Sequence, residues 1–166
     1  MSAGSDFGFL SPDGATDEAV WRSPLERALA HAPAGIEDVS RTGVLDVRGQ
    51  VEDLDDGLEV VHLTPHRALV FCAWERTAET RQRLRQRFLT VDVSAGYAGL
   101  RVHGAEIVRR LTDLDLERLP AVGSAAHVRA VVLRDGAAAF RLFFPQEYGH
   151  YVAEVVVDAA EGVSAG

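Results

Sequence analysis

Between Glu75 and Phe88 the chain places five arginines, Arg76, Arg81, Arg83, Arg85 and Arg87, against two acids, Glu75 and Glu79, a local charge of +3 in a chain of net charge −8. Guanidinium groups at helical spacing have two ordinary uses. One is a solvated face carrying small i,i+4 ion pairs. The other is a docking patch, because the planar fork pairs with carboxylates in both orientation and charge. Trp74 adjoins the run, and Trp beside Arg is the composition of interface hot spots. Trp74, Arg76, Arg83 and Arg87 are therefore the interface candidates.

Other groupings carry less chemistry. His62 and His66 are four apart, the spacing of two metal ligands on a helix, but Pro65 and strand-like flanks spoil that geometry. His103, His127 and His150 are scattered and form no ligand triplet, so no metal is expected. Ser94, His103 and Asp92 supply the residue types of a triad without a Gly-x-Ser-x-Gly elbow. Gly96-Tyr97-Ala98-Gly99 falls short of a dinucleotide fingerprint. All 17 basic residues are arginine, which excludes Schiff-base lysine chemistry and a P-loop. The single cysteine, Cys72, lies in an apolar run and reads as a buried small hydrophobe. No catalytic residue is expected in this chain.

The net charge of −8 argues against nucleic acid as a main partner. Residues 1 to 60 hold thirteen acids and four arginines, so an acidic surface opposite the basic one is expected. No stretch approaches the roughly 18 apolar residues of a membrane span. The opening MSAGSDFGFLSPDGATDE lacks the basic and apolar regions of a secretory signal, and a cytoplasmic location is expected.

These groups need elements to hold them. Residues 1 to 20 read as a flexible tail or docking arm, residues 21 to 160 as one domain, and 161 to 166 as a disordered end. Ser23-Pro24 opens a short helix ending near Ala32. Val44 to Gly49 alternates as a half-buried strand, with Leu45 and Val47 inward and Asp46 and Arg48 outward. Leu58 to Leu63 follows as a strand, and Ala68 to Ala73 is apolar on both faces, as a central strand would be. A helix is predicted over Thr77 to Phe88, with Thr77, Leu84 and Phe88 on one stripe and Glu79 and Arg83 paired. Tyr97 to Val102 is strand-like and Ala105 to Leu111 helical. His127 to Arg134 and Ala139 to Phe144 flank the hairpin signal Asp135-Gly136. A last helix is predicted from Pro145, although its run Val155-Val156-Val157 could also form a strand.

A written motif recurs. Asp38-Val39-Ser40 precedes the strand ending at Gly49, and Asp92-Val93-Ser94 precedes the one ending at Gly104. The pattern favours an α+β fold of duplicated small α/β units, ferredoxin-like halves over about 35–90 and 91–160, whose two sheets share one core.

The segment GIEDVSRTGVLDVRG (Gly35 to Gly49) resembles the opening of the folate-binding fold of the glycine-cleavage aminomethyltransferase. The segments LTPHRALVFCA, DVSAGYAGLRVHGAEIVRRL and AFRLFFPQEYGHYVAEVVVDA follow in the family's order, covering residues 23 to 160. The short form, with Arg-Ser-Pro-Leu at 22 to 25 and the strand-helix FRLFFPQEYG, is similar to the gamma subunit of heterotetrameric sarcosine oxidase. That resemblance implies a structural, non-catalytic subunit. It also implies larger flavoprotein partners that hold flavin, NAD and folate and oxidatively demethylate an N-methyl amino acid, with no cofactor in this chain. Folate-using relatives read Asn-Ala after the apolar strand and soon supply an aspartate, where this chain reads Cys72-Ala73-Trp74-Glu75-Arg76. Only Glu75 stands as a vestigial folate contact. Their Gly-Tyr-Thr-Gly-Glu turn falls on Asp135 to Arg141, where three alanines cannot bond a pterin. A stand-alone folate-binding or aminomethyl-transferring protein, or a regulatory module of the same fold, are the alternatives.

Overall fold

The computed structural model describes residues 22–55 and 57–164. The tail expected over 1–20 lies outside the described residues. The β-branched and aromatic runs become strands β1 (Ile36–Asp38), β2 (Thr42–Arg48), β3 (Glu59–Thr64), β4 (Arg67–Ala73), β5 (Leu89–Asp92), β6 (Tyr97–His103), β7 (Ala121–Ala125), β8 (Val128–Arg134) and β9 (Ala139–Pro145), with helices α1 (Thr77–Leu84), α2 (Ala105–Leu111) and α3 (Gly149–Ser164). They form two antiparallel sheets, one in the order β3-β4-β2-β5 and the other β1-β6-β9-β8-β7.

Three apolar clusters stack the layers. Leu45, Val47, Ala68 and Val70 face Leu84 of α1. Val44, Leu69 and Phe71 of the first sheet meet Val131, Leu133 and Phe143 of the second, with the rings of Phe71 and Phe143 4.7 Å apart. Leu100, Phe140, Leu142 and Phe144 then turn outward onto Val108, Val152 and Val156 of the other two helices. Both sheets are thus covered on both faces. This is why β2, expected to be half-buried, carries an inward-facing acid: Asp46 is 4% exposed, beside the fully buried Leu45 and Val47.

The duplication is visible, and the two halves interleave. β3-β4-β2-β5 recurs as β8-β9-β6-β1, so each half lends its leading strand to the other's sheet. β1 pairs with β6 (Asp38↔Leu100), and β5 pairs with β2 (Leu45↔Asp92). The repeated Asp-Val-Ser is the clasp. Ser40 N–H donates to Asp38 Oδ1 (2.9 Å) and Ser94 N–H to Asp92 Oδ1 (3.0 Å). Each serine Oγ then accepts from the opposite half: Ser40 from Gly99 N–H (3.0 Å), Ser94 from Val44 N–H (2.8 Å). The 3₁₀ turns Trp74–Arg76 and Gln146–Tyr148 follow β4 and β9 at matching places.

Several elements differ from expectation. Pro145 ends β9, paired with Tyr97, and α3 begins at Gly149. The valine run is helical because Val152, Val156 and Ala160 recur at i, i+4, i+8 and are buried; packing overrides β-branched stiffness. The same helix runs to Ser164, so residues 161–164, expected to be disordered, are ordered helix. α1 stops at Leu84, and Phe88 closes its last turn by donating N–H to Leu84 O (2.9 Å). The segment after Ser23-Pro24 forms turns more than a regular helix, with a single i+4 bond from Leu29 N–H to Leu25 O (3.0 Å). Ser23 still caps it, its Oγ accepting from Leu25 N–H (3.0 Å), and Leu25 is fully buried.

Candidate interaction site

The basic element leaves β4 through the 3₁₀ turn Trp74–Arg76 and enters α1 directly. Thr77 Oγ1 donates to Trp74 O (2.7 Å), tying turn to helix. The buried row is Thr77, Thr80 and Leu84. At about 3.6 residues per turn, that row leaves Arg76, Arg83 and Arg87 along one flank of the outward face and Arg85 along the other, with Glu79, Gln82 and Gln86 between them; all seven are exposed. Arg81 is half-buried. Glu79 lies 3.7 Å from Arg76 and not on Arg83 as expected. With side chains 62% and 74% exposed, this pair is well solvated and holds little energy. The Arg87 guanidinium sits 5.1 Å from the centroid of the Phe88 ring.

Trp74 is half-buried. It lines a hollow of about 270 Å³ with Arg22, Ser40, Ser94, Tyr97 and Gln146, in which the two clasp serines and the paired positions Trp74 and Gln146 meet. The indole therefore marks one end of the arginine flank and opens onto the junction of the two halves. Glu75 is exposed on the same turn. The second folate-like place is occupied by ion pairs, with Asp135 receiving Arg101 Nε at 2.6 Å and lying 3.5 Å from Arg141 Nε.

The remaining sequence candidates do not converge. His62 is on β3 and His66 in the turn after it, both exposed. Ser94 donates to Asp92 Oδ1 (2.6 Å), but His103 ends the far end of β6 and faces Glu37 (3.4 Å). His150 pairs with Glu154 on α3 (3.1 Å). Cys72 is half-buried, its Sγ 4.0 Å from Thr77 Oγ1.

One constellation was not read from the sequence. Asp46 accepts from Arg48 Nη2 (3.0 Å) and from Arg67 through Nε and Nη2 (both 3.1 Å). Burial pushes this carboxyl up, and the hydrogen bonds and charges of the two guanidinium groups more than reverse it, so its pKa lies below the ordinary carboxylate value. Arg67 also lines a cleft of about 180 Å³ between the sheets with Tyr97, Arg129, Leu69, Val131 and Phe143. Burial pushes the Tyr97 phenol up against the opposing charge of Arg67. The alternation of β2 separated Asp46 from Leu45 and Val47 but gave its face to solvent, whereas that face is buried, and the residue it meets, Arg67, comes from the cross-strand register Arg48↔Arg67.

No protein-family model matches the chain, and no curated protein matches it in sequence. Among solved structures, a chain of the heterotetrameric sarcosine oxidase from Corynebacterium sp. U-96, in complex with pyrrole 2-carboxylate, aligns with a TM-score of 0.71 at 19% identity, covering 88% of this chain and 97% of that one. The glycine cleavage system aminomethyltransferase T from Bartonella henselae aligns with a TM-score of 0.56 at 15% identity, covering 80% of this chain and 48% of that chain. This chain thus spans about half of the aminomethyltransferase. At these identities the likeness establishes the fold, an α+β aminomethyltransferase-like arrangement.

Proposed function

We propose that the chain is a non-catalytic, gamma-like subunit of a heterotetrameric sarcosine oxidase type flavoenzyme. In that assembly the larger subunits would oxidatively demethylate an N-methyl amino acid and pass the one-carbon unit to folate, holding flavin, NAD and folate themselves. The observation that carries this reading is coverage in both directions: 88% of this chain aligns with 97% of one chain of such an oxidase. The aminomethyltransferase, by contrast, aligns over only 48% of its length. A fold matched end to end by a chain of a hetero-oligomer suits a subunit better than a fragment of a transferase. The exposed flank of Arg76, Arg83 and Arg87, with Trp74 at its end, is the face we assign to the flavoprotein partner. Guanidinium rows of this kind dock onto acidic surfaces.

The test is co-expression with the large flavoprotein subunits of a heterotetrameric sarcosine oxidase type enzyme from the same genome. Arg83→Glu with Arg87→Glu should leave the melting temperature nearly unchanged, because exposed substitutions cost within about 0.5 kcal/mol, and should abolish co-purification. An undiminished complex refutes the docking face, and no complex with the unaltered chain refutes the subunit reading. The aminomethyltransferase likeness supports a second reading, a stand-alone folate-binding protein, with Glu75 as its contact. Calorimetry with folinic acid separates the two: a Kd near about 1 μM, lost in Glu75→Gln, would favour it.

A further inference from the structure

The two ends of the space between the sheets are charged differently. At one end, two guanidinium groups meet three carboxylates: Arg141 on Glu59 (2.6 and 2.8 Å), and Arg101 on Asp135 (2.6 Å) and Glu37 (3.0 Å). That end is closed by its own ion pairs. At the other end, Arg48 and Arg67 share the carboxylate of Asp46, and Arg129 lines the same cleft as Arg67. Arg67 spends Nε and Nη2 on that carboxylate, which leaves Nη1 unengaged. Arg129 makes no ion pair among the described residues, and the Tyr97 hydroxyl has no hydrogen-bond partner among them. Between these donors lies the 180 Å³ cleft, floored by Leu69, Val131 and Phe143. In a chain of net charge −8, a local surplus of cations around an apolar-floored hollow calls for an anion from outside.

We infer that this cleft binds a small monocarboxylate with an apolar body. Arg129 and the free edge of Arg67 take the carboxylate, the Tyr97 hydroxyl donates a third hydrogen bond, and the ring or branched chain lies on Leu69, Val131 and Phe143. Bidentate guanidinium geometry favours a planar carboxylate, and a site of a few polar groups over an apolar floor is the usual form of a small-ligand pocket. A doubly charged, wholly polar anion would leave that floor uncovered. The inference is independent of the subunit reading, since it concerns a cleft apart from α1 and is tested on the full chain alone.

The experiment is NMR titration of the isotope-labelled full chain, in carboxylate-free buffer, with benzoate, isovalerate and inorganic phosphate. Benzoate and isovalerate should saturate with a Kd below about 1 mM, shifting signals of Val131, Tyr97 and Arg129 but not those of α1. Arg129→Gln removes one charge-assisted contact from an exposed position and should weaken benzoate at least about tenfold. Tyr97→Phe should weaken it severalfold with the fold intact. Absence of saturation at about 20 mM, on the millimolar scale of a weak ligand, overturns the site. Unchanged affinity in Arg129→Gln overturns the assigned carboxylate contact. Phosphate binding as tightly as benzoate overturns the apolar body.

Discussion

Ser94→Ala tests whether the repeated Asp-Val-Ser segments hold the halves together. Val44 N–H donates to Ser94 Oγ at 2.8 Å, and Val44 O accepts from Val93 N–H at 2.9 Å. Both polar groups of that residue therefore point to the β5 side, away from β4, and the N–H has the serine oxygen as its acceptor. Ser94 is 5% exposed and Val44 1%, so the Val44 N–H is buried, and only a water entering the hollow beside Trp74 would replace the lost oxygen. Leaving one buried N–H without a partner costs about 1–3 kcal/mol. For a chain of 166 residues, with about 2–4 °C per kcal/mol, a central loss of about 2 kcal/mol lowers Tm by roughly 4–8 °C. Ser40→Ala should cost a similar amount, because it strands Gly99 N–H in the same way across the other junction (3.0 Å). Urea unfolding followed by circular dichroism reads the difference as a lowered midpoint at unchanged slope. Ser124→Ala is the control: its side chain is exposed and makes no hydrogen bond among the described residues. If Ser94→Ala matches Ser124→Ala to within about 0.5 kcal/mol, the clasp is not a structural tie.

Gly99→Ala should destabilise by about 1–3 kcal/mol, the usual cost of overpacking, because a Cβ there meets the Phe143 ring at 2.6 and 2.8 Å and Val39 O at 3.1 Å; a Tm equal to the unaltered protein would contradict this. Asp46→Asn should remove an acid-side dependence of stability. The Asp46 pKa is depressed in the folded state, so its contribution is fully present above the unfolded value of about 3.9 and is lost as pH falls through the folded one. The gap between the two proteins in urea midpoint should therefore be constant from about pH 5 to 7 and shrink below about pH 4; a gap that grows on acidification would reverse the sign of the argument.

What was legible from sequence follows from the range of the interactions involved. α2 falls at Ala105–Leu111 as predicted, because its apolar period is complete within the segment. The hairpin at Asp135-Gly136 was readable because Gly136 takes φ +118°, a conformation the residue type itself announces. Strands β1 and β5 were not read: they span Ile36–Asp38 and Leu89–Asp92, too short to show a period, and each is held by a partner from the opposite half. The doubled Asp-Val-Ser disclosed a duplication but not the exchange, since nothing local says that Ser40 grips Gly99 and Ser94 grips Val44.

The same limit governs the two sites. The arginine flank of α1 was found because its charges cluster within twelve residues of sequence and its helix is local. The cleft cations were missed because Arg67 and Arg129 belong to different sheets, and only the stacking of Leu69 and Phe71 on Val131 and Phe143 brings them to one opening. Asp46 shows why composition misleads at such a place. As an acid on an alternating strand it reads as solvent-facing, yet it is buried because two guanidinium groups, one of them from the neighbouring strand, stabilise its charge there. A buried carboxylate already saturated by Arg48 and Arg67 cannot also neutralise Arg129, and that remaining positive charge separates a merely structural ion cluster from a site with capacity for a ligand.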